Sequence, residues 1–270
     1  MTAVEILCIG RELLTGRTAD RNGPWLLRRV TGLGGRVTRL AILDDDPAAI
    51  AAEIRTGLAR SPAFLLTTGG LGPTADDRTA AALAEALGVP LALDATARRF
   101  VAARYAALEK AGAVADAALS SSREKMAWLP VGAEALENPV GAAPAIRCHH
   151  PPTTVVALPG VPAEMQACFD AHLASPLAAA AGWPVLLARE VRTDCADESV
   201  LAPLLEVVRQ EFPDLYVKSR PAAFGRGVRL AVTVSGAGKE AEALAARLEA
   251  ALARLRGLLQ GGATRPPGGG

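Results

Sequence analysis

The chain has 270 residues, of which 50% are hydrophobic and 4% aromatic, and its formal net charge is +1. This length allows one large or two ordinary domains, and the near-neutral charge argues against partners such as nucleic acid or an anionic membrane surface. The four cysteines form no CxxC pair, so neither a disulfide framework nor a zinc ribbon is expected. No leader precedes the first strand and no apolar run approaches ~18 residues. We therefore expect a cytoplasmic protein with no membrane segment.

Strands and helices alternate three times in the first part of the chain. The predicted elements are strand, helix, strand, helix, strand and helix over Ala3–Ile9, Asn22–Leu33, Val37–Leu43, Pro47–Leu58, Ala63–Thr68 and Ala75–Leu87. The first strand is buried by pattern except at Glu5. Such alternation implies right-handed βαβ units and a parallel sheet covered on both faces. Ligands of such sheets bind beyond the carboxyl ends of the strands, where the loops that begin at Gly10, Asp44 and Gly69 would meet.

A glycine-rich loop follows the third strand, at Gly69, Gly70, Leu71, Gly72 and Pro73. Three glycines in four positions let the backbone turn tightly and leave room for a ligand beside its N–H groups. The loop and the N–H groups of the following helix would suit a phosphate.

Polar residues at the start of that helix refine the interpretation. Thr74 and Asp77 have the spacing of a capping box, which predicts that the helix begins at Ala75. Asp76 and Asp77 would repel a phosphate unless a divalent cation or an arginine intervened. One interpretation is therefore a site for phosphate plus metal. The alternative is that the glycines only form a turn and the aspartates only cap the helix.

The middle of the chain contains further helices and a hairpin. The predicted elements are helices at Asp94–Gly112 and Ala115–Ala127, a short segment ending at Pro130, a turn at Asn138–Gly141, a hairpin over Ile146–Val156 with Pro151-Pro152 near its bend, and a helix at Ala163–Ala179. The residues Leu158–Pro162 repeat the order of strand, loop and helix start. This repeat would bring Glu164 to the same edge of the sheet.

A second domain is predicted after Trp183-Pro184. Its elements are a strand, a helix, two strands and a helix at Leu186–Arg192, Glu198–Glu211, Leu215–Ser219, Val228–Ser235 and Lys239–Leu255. The order suggests a small α+β domain at 183–256. The glycine- and proline-rich residues 257–270 are expected to form a disordered tail.

Several stretches, in their order and spacing, resemble the molybdopterin-binding domain of the MogA and MoeA type (MoCF), and more closely the amino-terminal part of the CinA competence/damage-inducible family. They are Gly10–Gly16 with Asp20 and Asn22, Asp44–Ile50, Thr67–Thr79, Asn138–Pro144 and Leu158–Met165. The resemblance covers residues 3–178 strongly and 186–256 more weakly. Arg11, Arg21 and Ala145 depart from the residues usual in that family.

This resemblance implies a three-layer α/β/α domain with a mainly parallel sheet at residues 1–182. Its glycine loop would bind the phosphate end of a pterin such as molybdopterin, or of a nucleotide. In CinA-like proteins the domain is associated with metal-dependent hydrolysis of ADP-ribose or related pyrophosphates. The carboxyl-terminal nicotinamide-nucleotide deamidase domain of many CinA proteins has no counterpart in this sequence, so deamidation is not expected.

Hydrolysis of a pyrophosphate needs carboxylates that hold a metal, and a metal that neutralises phosphoryl oxygens and lowers the pKa of an attacking water. The catalytic candidates are Asp45, Asp76 and Asp77. The candidate ligands for a divalent ion of the Mg, Mn or Co class are Glu12, Asp76, Asp77 and Glu164. The candidate ligand-binding residues are Thr68, Gly69, Gly70, Gly72, Pro73, Thr74, Asn138, Gly141, Pro159 and Gly160.

Two hypotheses remain for the function. The first is a metal-dependent nucleotide pyrophosphatase that acts on ADP-ribose or a related dinucleotide. The second is a non-catalytic binder or carrier of molybdopterin or a nucleotide. The carboxylates beside the glycine loop favour the first hypothesis. Formation of a homo-oligomer is left open by the sequence.

Overall fold

The computed structural model describes residues 2–182, 185–221, 229–238 and 240–262. The chain divides into two compact units, Met1–Gly182 and Trp183–Gly270. The strands of the first unit are β1 Ala3–Ile9, β2 Arg36–Leu43, β3 Phe64–Thr68, β4 Leu91–Leu93, β5 Trp128–Pro130, β6 Glu134–Leu136, β7 Ala145–His150 and β8 Thr153–Leu158. Its helices are α1 Arg11–Leu14, α2 Asn22–Gly32, α3 Pro47–Ala59, α4 Thr79–Leu87, α5 Ala95–Lys110, α6 Ser121–Lys125, α7 Pro162–His172 and α8 Ala174–Ala181.

A six-stranded sheet with the order β2-β1-β3-β8-β7-β6 forms the middle layer of the first unit. The first four strands in this order run parallel to one another, whereas β7 is antiparallel to β8 and β6 is antiparallel to β7. The predicted mixed α/β fold with a mainly parallel sheet is therefore confirmed. The predicted hairpin is formed by β7 and β8, and Pro151-Pro152 lies at its bend.

Helices cover both faces of this sheet. Side chains of β1 alternate between the two cores because successive residues of a strand point to opposite faces. Leu7 packs with Ile54 of α3 and Leu83 of α4, whereas Ile6 packs with residues of α2 and α7 such as Phe169. This arrangement gives three layers, with two apolar cores separated by the sheet.

The prediction that Glu5 lies outside the buried face of β1 is wrong. Glu5 is only 3% exposed, and Arg60 donates to both of its carboxylate oxygens at 2.7 and 2.6 Å. Two charge-assisted hydrogen bonds offset the cost of removing the carboxylate from water. The same contact raises the pKa of the Arg60 guanidinium above its usual range.

Three predicted helices differ from the structure. The single helix predicted over Ala163–Ala179 is two helices, α7 and α8, which meet at Leu173. Helix α4 begins at Thr79 rather than Ala75. The predicted helix over Ala115–Ala127 is wrong except at α6. The side chain of Asp116 accepts from the N–H of Ala118 at 2.9 Å, and such local hydrogen bonds offer the backbone a turn in place of a helix. The short strands β4 and β6 and the one-turn helix α1 were not predicted.

The second unit contains β9 Val185–Arg192, α9 Glu198–Glu211, β10 Tyr216–Pro221, β11 Leu230–Gly238 and α10 Ala241–Gly262. Its antiparallel sheet has the order β10-β11-β9. The prediction of disorder from Gly257 onward is wrong for residues 257–262, because α10 continues through them and Leu258 and Leu259 pack against the core of this unit. Residues 263–270 lie outside the described residues, as does the predicted strand start at Val228.

None of the helices in the described ranges is long and apolar enough to cross a lipid bilayer.

Candidate functional site

A cavity of about 440 Å³ lies in the first unit beyond the carboxyl ends of β1, β3 and β8. Segments that directly follow these strands form much of its wall, and the start of α2 and parts of α5 and α7 complete it. The predicted site residues that line it are Glu12, Asp45, Thr68, Gly69, Gly70, Gly72, Pro73, Asp76, Asp77, Pro159, Gly160 and Glu164. Thr74, Asn138 and Gly141, which were predicted to bind the ligand, are not in this lining.

The glycine loop owes its conformation to close packing. Gly69 and Gly70 have φ angles of +106° and +69°, a region that residues with a Cβ rarely adopt. A Cβ on Gly69 would collide with the carbonyl oxygen of Ile9, and one on Gly70 would collide with the hydroxyl of Thr79. The glycines are therefore needed by the fold itself, in addition to any need for space beside a ligand.

The first N–H group of α4 is bound within the protein. The N–H of Thr79 donates to the carbonyl of Gly70 at 3.0 Å, and the hydroxyl of Thr79 donates to the carbonyl of Gly69 at 2.8 Å. The predicted capping box instead closes a turn in the loop before the helix, where Asp77 accepts from the N–H of Thr74 at 2.9 Å. The expected anion site at the start of this helix thus lacks one of its donors.

Lys125 holds the acidic loop in place, a role that no motif in the sequence indicates. Its ammonium group donates to the carbonyl of Gly72 at 3.2 Å and also to the carbonyls of Thr74 and Asp77. The three N–H groups of the ammonium therefore each have a backbone carbonyl of this loop as acceptor. Burial lowers the pKa of Lys125, and the nearby charges of Asp77 and Asp76 oppose that shift.

The two aspartates of this loop differ in their surroundings. Asp77 is half-buried and accepts from the hydroxyl of Thr74 at 2.6 Å. Asp76 is exposed, and the pKa of its carboxyl is lowered, first by a hydrogen bond from Thr74 and then by its own backbone N–H, with smaller contributions from Lys125 and Arg78. Both carboxylates are thus fixed on the cavity wall by one short turn.

Asp45 joins the loop after β2 to helix α1. Its carboxylate accepts from the backbone N–H of Arg11 at 3.0 Å, while the guanidinium of Arg11 pairs with Asp44 at 2.8 Å. This ion pair lowers the pKa of Asp44. Asp45 and Glu12 consequently reach the cavity from adjoining segments.

Asn22 connects three segments at the floor of the cavity. Its side-chain amide donates to the hydroxyl of Thr68 at 2.9 Å and to the carbonyl of Gly160 at 2.8 Å. The hydroxyl of Thr68 in turn donates to the carbonyl of Pro159 at 2.8 Å. Thr68 therefore links the start of α2 to the loop after β8 through hydrogen bonds. Its hydroxyl proton is donated to a backbone carbonyl and is not available to a ligand.

Asn138 organises a turn behind the cavity. Its oxygen accepts from the N–H groups of Val140 and Gly141, and its amide donates to the carbonyl of Ala143 and to the carboxylate of Glu164. A side chain with these four partners, only 7% exposed, has little capacity left for a ligand. The prediction that Asn138 binds a ligand is therefore replaced by a role in holding Glu164.

The charges that line the cavity are strongly unbalanced. Six carboxylates and one guanidinium contribute to the wall, and they belong to Glu12, Asp20, Asp45, Asp76, Asp77, Glu164 and Arg21. Within the described part of the chain, no three His, Cys, Asp or Glu side chains lie close enough to hold a metal ion. The four predicted metal ligands therefore share the cavity without converging on one point.

A cysteine also lines the cavity. Burial and the negative charge of Asp20 raise the pKa of the Cys8 thiol to about 12. Since the thiolate is the nucleophilic form, a thiol with this pKa is inert at neutral pH. The surroundings of Cys8 therefore disfavour the thiolate that covalent catalysis would need.

Comparison with known proteins assigns the family. Residues 5–179 match the model of a probable molybdopterin binding domain. The chain is 38% identical to protein TK1472 of Thermococcus kodakarensis over 87% of its own length and 92% of that protein. It is 34% identical to protein PH0439 of Pyrococcus horikoshii over 86% of its own length and 89% of that protein.

A solved structure extends the comparison. The protein CinA with unknown function from Thermoplasma acidophilum is 32% identical, with a TM-score of 0.57, and the match covers 65% of this chain and 98% of that one. The two archaeal relatives match beyond the length of the family model, so the similarity continues into the second unit. The chain therefore belongs to the family of CinA-like proteins that carry a molybdopterin-binding domain.

Proposed function

We propose that the first unit is a metal-dependent nucleotide pyrophosphatase that acts on ADP-ribose or a related dinucleotide. The observation that carries this proposal is the set of six carboxylates around a cavity that a glycine loop also lines. A pyrophosphate beside so many negative charges would be repelled unless cations stood between them. Phosphate and divalent metal therefore belong together in this cavity.

The residues present fit a metal that binds with its substrate. Mg²⁺ in phosphate sites is commonly held by one or two carboxylates together with substrate oxygens and water, rather than by a dedicated protein cage. The pair Asp76 and Asp77, fixed on one turn, would hold such an ion together with substrate oxygens and water. When bound, the ion would neutralise phosphoryl oxygens and make a bound water more acidic.

The protein side chains would orient the substrate and accept a proton. Asp45 is fixed by the N–H of Arg11, and Glu164 is fixed by the amide of Asn138. Each contact uses one carboxylate oxygen, so the other can face the cavity. Asp45 is the candidate general base because its position is set by the backbone.

A direct assay tests the proposal. The wild-type chain is incubated with ADP-ribose and Mg²⁺, Mn²⁺ or Co²⁺, or with a chelator, and the products are separated by chromatography. We expect AMP and ribose 5-phosphate to appear only with metal. If no AMP is released from ADP-ribose, NAD or FAD with any of these metals, the enzyme proposal is rejected.

A second candidate is a non-catalytic binder or carrier of molybdopterin or a nucleotide. Two observations favour it: the name of the matching family model, and the lack of a three-residue metal cluster among the described residues. Stabilisation of the protein by a pterin phosphate or nucleotide in a thermal-shift experiment, without turnover of any pyrophosphate, would support this candidate.

A further inference from the structure

A second cavity, of about 480 Å³, shares a wall with the first. Both cavities are lined by Gly70, Leu71, Gly72, Asp77 and Met126, so the glycine loop borders each of them. The volume lies within the range of small-molecule sites, which is about 300–1,000 Å³. The two cavities together could accommodate a ligand with two chemically different parts.

The second cavity is chemically unlike the first. Its wall is mainly apolar and consists of Leu71, Ala75, Ala80, Ala81, Leu91, Met126, Trp128, Pro144 and Ile146, with four polar side chains, Asp77, Arg78, Ser121 and Lys125. The ammonium of Lys125 is already bound to three backbone carbonyls, so the charges open to a ligand are the guanidinium of Arg78 and the carboxylate of Asp77. The large apolar area of the wall suits a flat uncharged group better than a phosphate. The carboxylate-rich and the apolar cavity therefore suit opposite ends of one ligand.

Trp128 gives the second cavity an aromatic surface. It lies on β5, and 41% of its surface is exposed. Its cross-strand neighbour Leu93 is also exposed, at 42%, but does not line the cavity. An indole ring on a cavity wall can stack on any nucleobase, because every base has a π face.

The polar side chains favour a nitrogen heterocycle over a hydrocarbon. The Nε of Arg78 donates to the carbonyl of Ala75 at 2.9 Å, which holds the guanidinium at the cavity wall. Arg78 can donate to ring nitrogens, and the hydroxyl of Ser121 can accept from an exocyclic amine. A purine presents both kinds of group on one edge.

We propose that the second cavity binds the purine ring of the nucleotide whose phosphates lie at the glycine loop. This inference rests on the proposed function, because it deepens the identity of the same substrate. The purine stacks on Trp128, and the glycine loop lies between it and the first cavity. The site thereby selects adenine-containing pyrophosphates over pyrophosphates without a ring.

The test compares AMP with ribose 5-phosphate, the two products expected from ADP-ribose. Neither contains a pyrophosphate bond, so their binding can be measured by calorimetry with Mg²⁺ present and without turnover. We expect Trp128→Ala to weaken AMP binding roughly tenfold, as is typical for loss of one base–aromatic stack, and to leave ribose 5-phosphate binding unchanged. Leu93→Ala, on the same two-stranded sheet, should leave both affinities unchanged. AMP should also change the tryptophan fluorescence of the wild type and not that of Trp128→Ala.

Equal AMP affinities in the wild type and in Trp128→Ala would overturn the inference, as would an absence of AMP binding to the wild type. If Trp128→Ala changed only the oligomeric state, the cavity would belong to a protein contact and the inference would also fail. A different result would show that only the proposed pyrophosphatase activity is wrong. AMP binding would then depend on Trp128, but the wild type would release no AMP from ADP-ribose.

Discussion

The side-chain amide of Asn138 donates a hydrogen bond of 2.7 Å to the carboxylate of Glu164. This contact joins a buried turn before β7 to the first turn of α7, across 26 residues of sequence. Close packing reinforces it, because Gly141 leaves no room for a Cβ beside Glu164. The position of Glu164 at the cavity therefore depends on a residue that does not line the cavity.

Asn138→Ala should destabilise the first unit by about 2–3 kcal/mol, because the N–H groups of Val140 and Gly141 lose their acceptor. Chemical denaturation of the full chain measures the change. Glu164→Gln is the matched comparison, since its amide oxygen can still accept from Asn138. That variant should remain within about 1 kcal/mol of the wild type. Equal stability of the two variants would contradict the role of Asn138.

Gly70→Ala should be more destabilising than Gly132→Ala. Both glycines have a positive φ, which costs an alanine about 1–2 kcal/mol. At Gly132 a Cβ meets no atom within 4 Å, whereas at Gly70 it collides with Thr79. The collision should add about 1–3 kcal/mol. Thermal unfolding of both variants checks the order, and an equal loss would show that the contact with Thr79 can relax freely.

Lys125→Met should loosen the acidic loop, because three carbonyls lose their donor. We expect a loss of about 1–2 kcal/mol, since Lys125 is partly exposed, and faster amide hydrogen exchange over residues 72–78. Lys110→Met, at the exposed end of α5, is the control and should change neither quantity. Unchanged exchange in the Lys125 variant would show that the loop is held by its own turn.

Asp77→Asn should reduce metal-dependent release of AMP from ADP-ribose by orders of magnitude, because the charge that the metal needs is removed. Metal-free ligand binding should weaken little or strengthen, since one negative charge beside the phosphates is lost. Asp46→Asn is the control: Asp46 caps α3 outside the cavity, and asparagine is an equally good cap. Equal turnover by both variants would remove Asp77 from the proposed mechanism.

Thr74→Val should reduce the dependence of stability on pH in the acidic range. The folded-state pKa of Asp76 lies below its usual value, with the hydrogen bond from Thr74 as the first cause. Between the folded-state and unfolded-state pKa of Asp76, the unfolded chain therefore binds more protons than the folded chain. The contribution of Asp76 to folding stability is present above its unfolded-state pKa and is lost as the pH falls through its folded-state pKa. Melting temperatures measured at neutral and acidic pH check this. The difference in melting temperature between the wild type and Thr74→Val should become smaller at acidic pH.

Thr56→Val is the control, because it removes a hydroxyl that donates to the carbonyl of Ala52. Its difference in melting temperature from the wild type should be the same at both pH values.

Several features could be predicted from the sequence because their causes are local. The strands β1 and β3 follow from short, mainly apolar runs that end at glycine or polar residues. Asp46 begins α3, since its carboxylate accepts from the N–H of Ala48, only two residues away. The glycine loop was recognised because three glycines in four positions indicate unusual backbone angles.

Other features arise from partners far apart in sequence. Glu5 was expected outside the buried face, because its partner Arg60 lies 55 residues away. The role of Lys125 could not be predicted from a motif, because its acceptors are backbone carbonyls, which every residue has. A pattern of residue types contains no information about which distant carbonyls converge on an ammonium group.

The sequence by itself determined the alternation of strands and helices, and therefore the edge of the sheet to which the acidic residues would come. It did so because the period of hydrophobic residues, the positions of glycine and helix capping each depend on residues only a few positions apart. Only the tertiary structure decided which of these residues face the cavity. Asp45 and Glu164 line it, each held by a hydrogen bond from another segment, whereas Asn138 lies behind it with every polar atom engaged. The physical reason is that a side chain's direction and remaining hydrogen-bonding capacity depend on partners that only folding brings together.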